Sequence, residues 1–119
     1  ALGASFDIAS SGELQRLRDA VGELPADRLL HSHPCKTYQD IVASFAMGCR
    51  RYVVDHVSEL VKLQSLADSI ALLVRIAVPN RSGKVSLSHR FGAYPSALGE
   101  ILVAAQSKGF RIEGISFHV

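Results

Sequence analysis

Short apolar runs alternate with amphipathic stretches along this chain, and this alternation limits the folds open to it. It is typical of β-strands that alternate with α-helices in a parallel sheet. The first four runs begin at intervals of roughly 20 to 23 residues, the spacing of compact strand–helix units. We predict five strands, at Ser5–Ala9, Arg28–His33, Arg51–Asp55, Ala71–Val78 and Ile112–Val119.

Four helices are predicted between these strands, beginning near Ser10, Thr37, Ser58 and Ser96. Each carries apolar residues at helical spacing, and these should face the sheet. Glycines follow three of the helices, where a left-handed cap is common. The residues expected to be buried are Leu14, Leu17 and Val21, then Ile41, Val42 and Phe45, then Leu60, Leu63 and Leu66/Ala67, then Leu98, Ile101, Leu102 and Ala105; the glycines are Gly22, Gly48 and Gly109.

Five parallel strands fit either an open doubly wound sheet or part of an eight-stranded β/α barrel, and the strand faces favour the barrel. Three strands have one apolar face and one face of small residues with a single ionisable group. That group is Asp7 in the first strand, Arg75 in the fourth and His118 in the fifth. In the last strand we expect Glu113, Ile115, Phe117 and Val119 to share one face, and Ile112, Gly114, Ser116 and His118 the other.

A long connection from Pro79 to Pro95 delays the fifth strand. It follows the carboxyl end of the fourth strand, where α/β proteins keep their functional loops.

Size and composition indicate one globular domain at most. The chain has 119 residues, of which 48% are hydrophobic and 20% charged. Its net charge of +2 is too small and too scattered to predict nucleic-acid binding, and no apolar run is long enough to span a bilayer. Because both ends lie abruptly at strand-like runs, we expect a fragment of a larger domain.

Cysteine and histidine spacing predicts neither a disulfide nor a metal site. Cys35 and Cys49 lack ligand spacing, which favours free thiols in a reducing compartment. His31 and His33 should share a strand face, but no third ligand is apparent, so no metal is expected.

Six segments resemble one enzyme family in order and spacing and together cover nearly the whole chain. Each motif alone is weak, and the six together are specific. They are Phe6-Asp7-Ile8-Ala9-Ser10 with Glu13-Leu14, His33-Pro34-Cys35-Lys36, Asp55 with Glu59-Leu60, Val74-Arg75-Ile76-Ala77, Leu87-Ser88-His89-Arg90-Phe91-Gly92-Ala93, and Gly114-Ile115-Ser116-Phe117-His118-Val119. The family is that of the ornithine/diaminopimelate/arginine decarboxylases.

The resemblance implies a fold-type III enzyme that uses pyridoxal 5′-phosphate held on a lysine. Residues 1–119 would be the central part of its cofactor-binding β/α barrel, with the lysine segment before them and a β-domain after them. The family implies a cytoplasmic homodimer with shared active sites, an amino-acid substrate, and neither a nucleic-acid nor a membrane partner.

The resemblance also assigns residues. His118 matches the histidine that packs flat against the cofactor ring, and Arg75 an arginine near the cofactor. Asp7 and Glu13 match acids close to the lysine, so both are candidate catalytic residues, and Asp7 a cofactor contact as well. Each has a plainer alternative: a core histidine, an ion pair between Arg75 and Asp7, or a capping box between Ser10 and Glu13.

Two positions depart from the family pattern. Arg90 stands where the family has a lysine that reaches the other subunit, and His33 replaces the usual asparagine. Lys36, Lys62, Lys84 and Lys108 do not lie in the motif of the cofactor lysine.

The ornithine-type motifs favour a basic amino acid, ornithine above diaminopimelate, as the substrate of the full-length parent. Decarboxylation would yield a diamine for polyamine biosynthesis. One alternative is a non-catalytic, decarboxylase-like regulatory or binding protein. Another is an independent nucleotide-binding domain, which the lack of a glycine-rich phosphate motif disfavours.

Overall fold

Five parallel strands lie side by side in the order in which they occur along the chain. The computed structural model describes residues 3–78 and 92–117. The strands are β1 (Phe6–Ile8), β2 (Leu29–His31), β3 (Arg51–Val54), β4 (Ala71–Ile76) and β5 (Arg111–Phe117). Over the described residues the strand order never reverses, so the predicted sequential β/α topology is confirmed and a doubly wound order is excluded.

Four α-helices connect these strands: α1 (Ser11–Val21), α2 (Tyr38–Ala46), α3 (Val57–Leu63) and α4 (Pro95–Ser107). Side chains cap the first three at their amino ends. The Ser10 and Thr37 hydroxyls accept hydrogen bonds from the backbone N–H groups of Glu13 and Asp40, and His56 accepts one from Ser58. These bonds satisfy donors that a helix leaves free in its first turn.

The core lies on one face of the sheet. Along the strand register, Ile8 pairs with His31, His31 with Tyr52, Tyr52 with Leu72, and Leu72 with Ile112. This row contacts the inner sides of the helices in one hydrophobic cluster, whose helix residues include Leu14, Ile41, Leu60, Leu63, Ile101 and Ala105. Helices on one side of a sequential parallel sheet are the arrangement of a β/α-barrel wall.

Two helix positions were predicted wrongly. Val42 is 65% exposed and Val21 is 43% exposed, although both were expected to be buried. Leu14 and Ile41 occupy the centres of the helix–sheet contacts, so residues about a quarter-turn away, or at the end of a short helix, face solvent.

Strand β5 also departs from the expected alternation. The register shifts between Leu72 and Leu73, so that Leu72 pairs with Ile112 while Leu73 pairs with Gly114. Glu113 is therefore the extra residue of a bulge. The predicted alternation holds after the bulge, where Ile115 and Phe117 pair with Val74 and Ile76 on one face. It is wrong before the bulge, because Ile112 pairs with the core residue Leu72 and so shares the face of Ile115.

Charged groups join β3 to β5 at the amino ends of the strands. Arg51 Nε lies 2.9 Å from Glu113 Oε2, and Arg111 lies 3.0 Å from Glu113 Oε1. Because β4 lies between β3 and β5, the first contact reaches across β4.

Both cysteines are free thiols, Cys35 exposed and Cys49 buried, as predicted. Within residues 3–78 and 92–117, no helix combines the length and apolar composition needed to cross a bilayer.

Gly92 allows a test of the fold by mutation, because it has φ 109° and almost no room for a side chain. A Cβ atom there would lie 2.8 Å from backbone atoms of Ile76 and Ala77. Gly109 has φ 82° but no neighbour within 4 Å of its Cβ position. We expect Gly109→Ala to lower the free energy of unfolding by about 1 kcal/mol, and Gly92→Ala to lower it by about 2 kcal/mol more.

Urea unfolding of the full-length protein measures both values. Equal losses for the two variants would contradict the close backbone contact at Gly92.

Candidate functional site

Asp7 and Arg75 lie on the sheet face opposite the helix-packed core. Arg75 is the last residue but one of β4, near its carboxyl end, and Asp7 is the middle residue of the three-residue β1. Their neighbours in the register are Leu30 and Ser116, respectively. In β/α barrels this combination of inner face and carboxyl end carries the functional residues.

Asp7 is exposed and lines a shallow pocket together with Arg28, Leu30 and Arg51. Arg51 is the first residue of β3 and pairs with Glu113, and Arg28 directly precedes β2.

Arg75 is half-buried and its backbone is fixed by the segment that precedes α4. The Arg75 carbonyl accepts a hydrogen bond from Ala93 N at 2.8 Å. The next residue back, Gly92, donates its N–H to Asp55 Oδ2 at 2.9 Å. The close approach at Gly92 and the Asp55 carboxylate thus hold the backbone beside Arg75.

Glu13 caps α1 together with Ser10, close to the capping box that the sequence offered as its plainer interpretation, except that its carboxylate bonds to Ala9 N, one residue before the cap. Its backbone N–H donates to the Ser10 hydroxyl at 3.1 Å, while its carboxylate accepts from Ala9 N at 2.7 Å. The carboxylate therefore lies at the turn after β1, on the carboxyl side of the sheet. Its catalytic assignment stays a prediction.

The other site predictions have different outcomes. His118 and Arg90 lie outside the described residues. Strands β2 and β3 separate Asp7 from Arg75, and the ion pairs formed within the described part of the chain do not join these two residues.

The two histidines of the His31-Ser32-His33 segment have separate surroundings. The His31 ring is fully buried on the helix side, stacked on Tyr52 with 5.6 Å between ring centroids. His33 Nδ1 accepts a hydrogen bond from Cys35 N at 3.1 Å. Within the ranges that the structure describes, no three His, Cys, Asp or Glu side chains form a group able to hold a metal ion.

His31 and Asp40 form a buried pair that joins β2 to two helix starts. His31 Nε2 lies 2.5 Å from Asp40 Oδ2, and Asp40 Oδ1 accepts a hydrogen bond from Ser11 N at 2.6 Å. Tyr52, stacked on the imidazole, has its hydroxyl 2.9 Å from Ser44 Oγ.

The pKa of His31 is lowered. Burial is the main cause, and it outweighs the opposing effect of Asp40. His31 Nδ1 is buried and has no hydrogen-bond partner among the described residues, so a proton there would lie in an unfavourable environment. Burial tends to raise the pKa of Asp40, but hydrogen bonds from Ser11 and His31 hold it below its usual value.

The most buried cation, Lys36, was not recognised as such from sequence. Its side chain is fully buried at the turn after β2, 3.5 Å from Glu59. Glu59 also forms a 2.6 Å ion pair with Lys62, three residues further along α3. No local signal indicated that Lys36 would join this pair, because the contact depends on how β2 and α3 pack.

The sequential strand order and the polar sheet face opposite the helices define a class of protein. It is a β/α-barrel wall whose polar groups lie on the inner face, near the carboxyl ends of the strands. Residues 1–119 match the family described as pyridoxal-dependent decarboxylase, pyridoxal binding domain. The chain belongs to this family, whose cofactor is pyridoxal phosphate.

Individual relatives agree with this assignment. The lysine/ornithine decarboxylase of Selenomonas ruminantium is 34% identical over 118 residues, covering 99% of this chain and 30% of the relative. The lysine/ornithine decarboxylase of Vibrio vulnificus, solved with putrescine, superposes with a TM-score of 0.82 at 37% identity, covering 98% of this chain and 29% of that one.

The arginine decarboxylase of Paramecium bursaria Chlorella virus, solved with agmatine, has a TM-score of 0.89 at 26% identity, covering 98% and 31%. Antizyme inhibitor 2 of Xenopus laevis is 31% identical over 118 residues, covering 99% of this chain and 25% of the relative. This chain therefore spans about a third or less of the length of these relatives.

The described residues fit one wall of a pyridoxal-phosphate site. Arg75 offers a cation on the inner face for an anionic or electron-rich group, and Asp7 offers an acceptor for a protonated nitrogen. The lysines of the described part do not fit the role of the cofactor lysine. Lys36 is buried in backbone contacts, Lys62 pairs with Glu59, and Lys108 lies at the amino ends of the strands, 3.5 Å from Gln64.

The lowered pKa of His31 predicts a pH-dependent stability. Because the folded state favours neutral His31, the unfolded state binds an extra proton as the pH falls below about 6.5. Stability should therefore be fully present above pH 6.5 and decrease toward pH 5, by up to about 1.4 kcal/mol per pH unit. In His31→Gln, which keeps a donor for Asp40 but does not titrate, this part of the slope should be missing.

Urea unfolding between pH 5 and 7, where Asp40 stays ionised, compares wild type with His31→Gln. Identical slopes, or a wild-type stability that rises as the pH falls, would contradict this assignment.

Proposed function

We propose that the full-length protein containing this chain decarboxylates a basic amino acid, most favourably ornithine, with pyridoxal phosphate as cofactor. The observation that carries the proposal is the family match over residues 1–119, together with a polar inner face at the carboxyl ends of the strands. The product would be a diamine, as in polyamine biosynthesis. Relatives named for lysine, ornithine and arginine support a basic substrate.

The cofactor, when bound, supplies an electron sink for the electrons released when carbon dioxide leaves. The residues of this chain would bind and orient it. Arg75 would place a positive charge at the inner face. The Gly92–Asp55 and Ala93–Arg75 hydrogen bonds would fix the backbone beside it. Asp7, which lines a pocket with Arg28, Leu30 and Arg51, would accept a hydrogen bond from a protonated group.

Two further assignments rest on the family motifs alone. His118 would pack against the ring of the cofactor, and Glu13 would add a carboxylate at the turn after β1, beyond its capping role. We also propose a cytoplasmic homodimer with shared active sites, in which residues 1–119 form the central part of the barrel domain. The lysine that holds the cofactor would not be Lys36, Lys62, Lys84 or Lys108.

The second candidate function is a non-catalytic, decarboxylase-like regulatory protein. The similarity to a relative named antizyme inhibitor favours keeping it as an alternative. Such a protein would have the same fold as the decarboxylase but would not turn over an amino-acid substrate.

The decisive experiment is kcat/KM of the full-length protein for L-ornithine, L-lysine, L-arginine and meso-diaminopimelate. We expect the highest value for ornithine. The Arg75→Met variant should lower this value by about tenfold or more, because it removes the positive charge from the inner face. Val103→Ala, at an exposed position of α4, is the matched control and should leave kcat/KM unchanged.

Preference for diaminopimelate would overturn the substrate assignment but leave the cofactor chemistry intact. No turnover of any of the four would favour the regulatory alternative.

A further inference from the structure

Lys36 is a charged side chain buried in the turn between β2 and α2, and the proposed mechanism gives it no role. Its Nζ atom lies 2.8 Å from the carbonyl oxygen of His33, 3.2 Å from that of Pro34 and 2.6 Å from that of Val53. Solvent does not reach the side chain. We call these three carbonyls the ammonium cage.

The cage matches the charged form of lysine. An ammonium group has three N–H donors, one for each carbonyl, whereas a neutral amine has only two. Burial lowers the pKa of Lys36, but the Glu59 carboxylate, 3.5 Å from Nζ, opposes this shift. The three acceptors and the carboxylate together favour the ammonium ion.

A second lysine completes the cluster. Lys62 Nζ lies 2.6 Å from Glu59 Oε1 and 2.7 Å from the backbone oxygen of Lys36. Glu59 therefore lies between two ammonium groups, and α3 is connected to the turn through both.

The ammonium cage lies where the backbone pairing between β2 and β3 ends. Strands β2 and β3 share only one Cα partner pair, His31 with Tyr52. Beyond it, the Lys36 side chain reaches the Val53 carbonyl of β3 from the turn after β2. The ammonium thus joins the two elements where the backbone ladder ends.

This turn lies on the same side of the sheet as the carboxyl end of β4, which carries Arg75. A shift of the turn would change the carboxyl ends of β2 and β3, which lie between β1 and β4. Displacements of about 1 Å at a distance from the reacting groups can lower a rate by about a hundredfold.

We propose that Lys36 is a positioning residue: its buried ammonium, held by the His33, Pro34 and Val53 carbonyls and by Glu59, fixes the 33–36 turn against β3 and α3. The effect on catalysis rests on the proposed function, whereas the effect on the turn does not. If the cage recognises an ammonium ion as such, a free alkylammonium can replace the side chain.

The test uses Lys36→Ala in the full-length protein, with and without propylammonium, which has the length of the deleted part of the side chain. Melting temperature and hydrogen exchange of the backbone amides near residues 33–36 report on the turn. Steady-state kcat and KM, measured well below the melting temperature, report on catalysis. Lys36→Met fills the space without a charge, and Lys108→Ala removes a lysine outside the cage.

We expect Lys36→Ala to melt at a lower temperature, to exchange faster near the turn, and to lose about tenfold or more in kcat. Propylammonium should reverse all three changes in Lys36→Ala. Propylammonium should have no effect on wild type, Lys36→Met or Lys108→Ala. Tetramethylammonium, which has no N–H donor, should reverse none of the three changes in Lys36→Ala.

Exchange near the turn that stays at the wild-type rate in Lys36→Ala, or equal rescue by tetramethylammonium, would overturn the cage. If propylammonium restores the melting temperature and the hydrogen exchange of Lys36→Ala but not its kcat, the positioning role is overturned. A wild-type protein that turns over none of the four amino acids would refute the proposed function instead, while the melting and exchange measurements would still decide on the cage.

Discussion

The sequential order of the parallel strands is the constraint on which the rest of this structure depends. A crossover between neighbouring parallel strands is right-handed in nearly all proteins, so strands added in one direction place every helix on the same side. Here the row from Ile8 through Tyr52 to Leu72 packs against all four helices. Within residues 3–78 and 92–117 the four α-helices pack on this side, so the opposite face can carry Asp7 and Arg75 without burying them in an apolar layer.

Polar groups inside the structure connect the elements in three places. At the amino ends, Arg51 and Glu113 join β3 to β5. Between sheet and helices, Asp40 joins the buried His31 to the start of α1. At the carboxyl ends, the ammonium of Lys36 joins the turn after β2 to β3 and α3. Because a buried charge that loses its partner is strongly destabilising, the contacts of the buried Lys36 specify one geometry more than they add net stability, whereas Arg51 and Glu113 are 34% and 32% exposed.

Much of this could be predicted from the sequence because it depends on local pattern. Apolar periodicity predicted all five strands and all four helices, and the spacing from Ser10 to Glu13 predicted the capping of α1. The remaining features depend on packing between distant segments. The bulge at Glu113 appears only when β5 pairs with β4, and the burial of Lys36 only when β2 and α3 meet. Val42 is exposed because the sheet contacts α2 mainly through Ile41.

The central claim is that the sheet face opposite the helix-packed core is one wall of the pyridoxal-phosphate site. A crystal structure of the full-length protein with bound cofactor tests it most directly. The account predicts the cofactor on the inner face, with Arg75 and Asp7 among the side chains around it and His118 against its ring. A cofactor bound elsewhere, or one that contacts neither Arg75 nor Asp7, would contradict it.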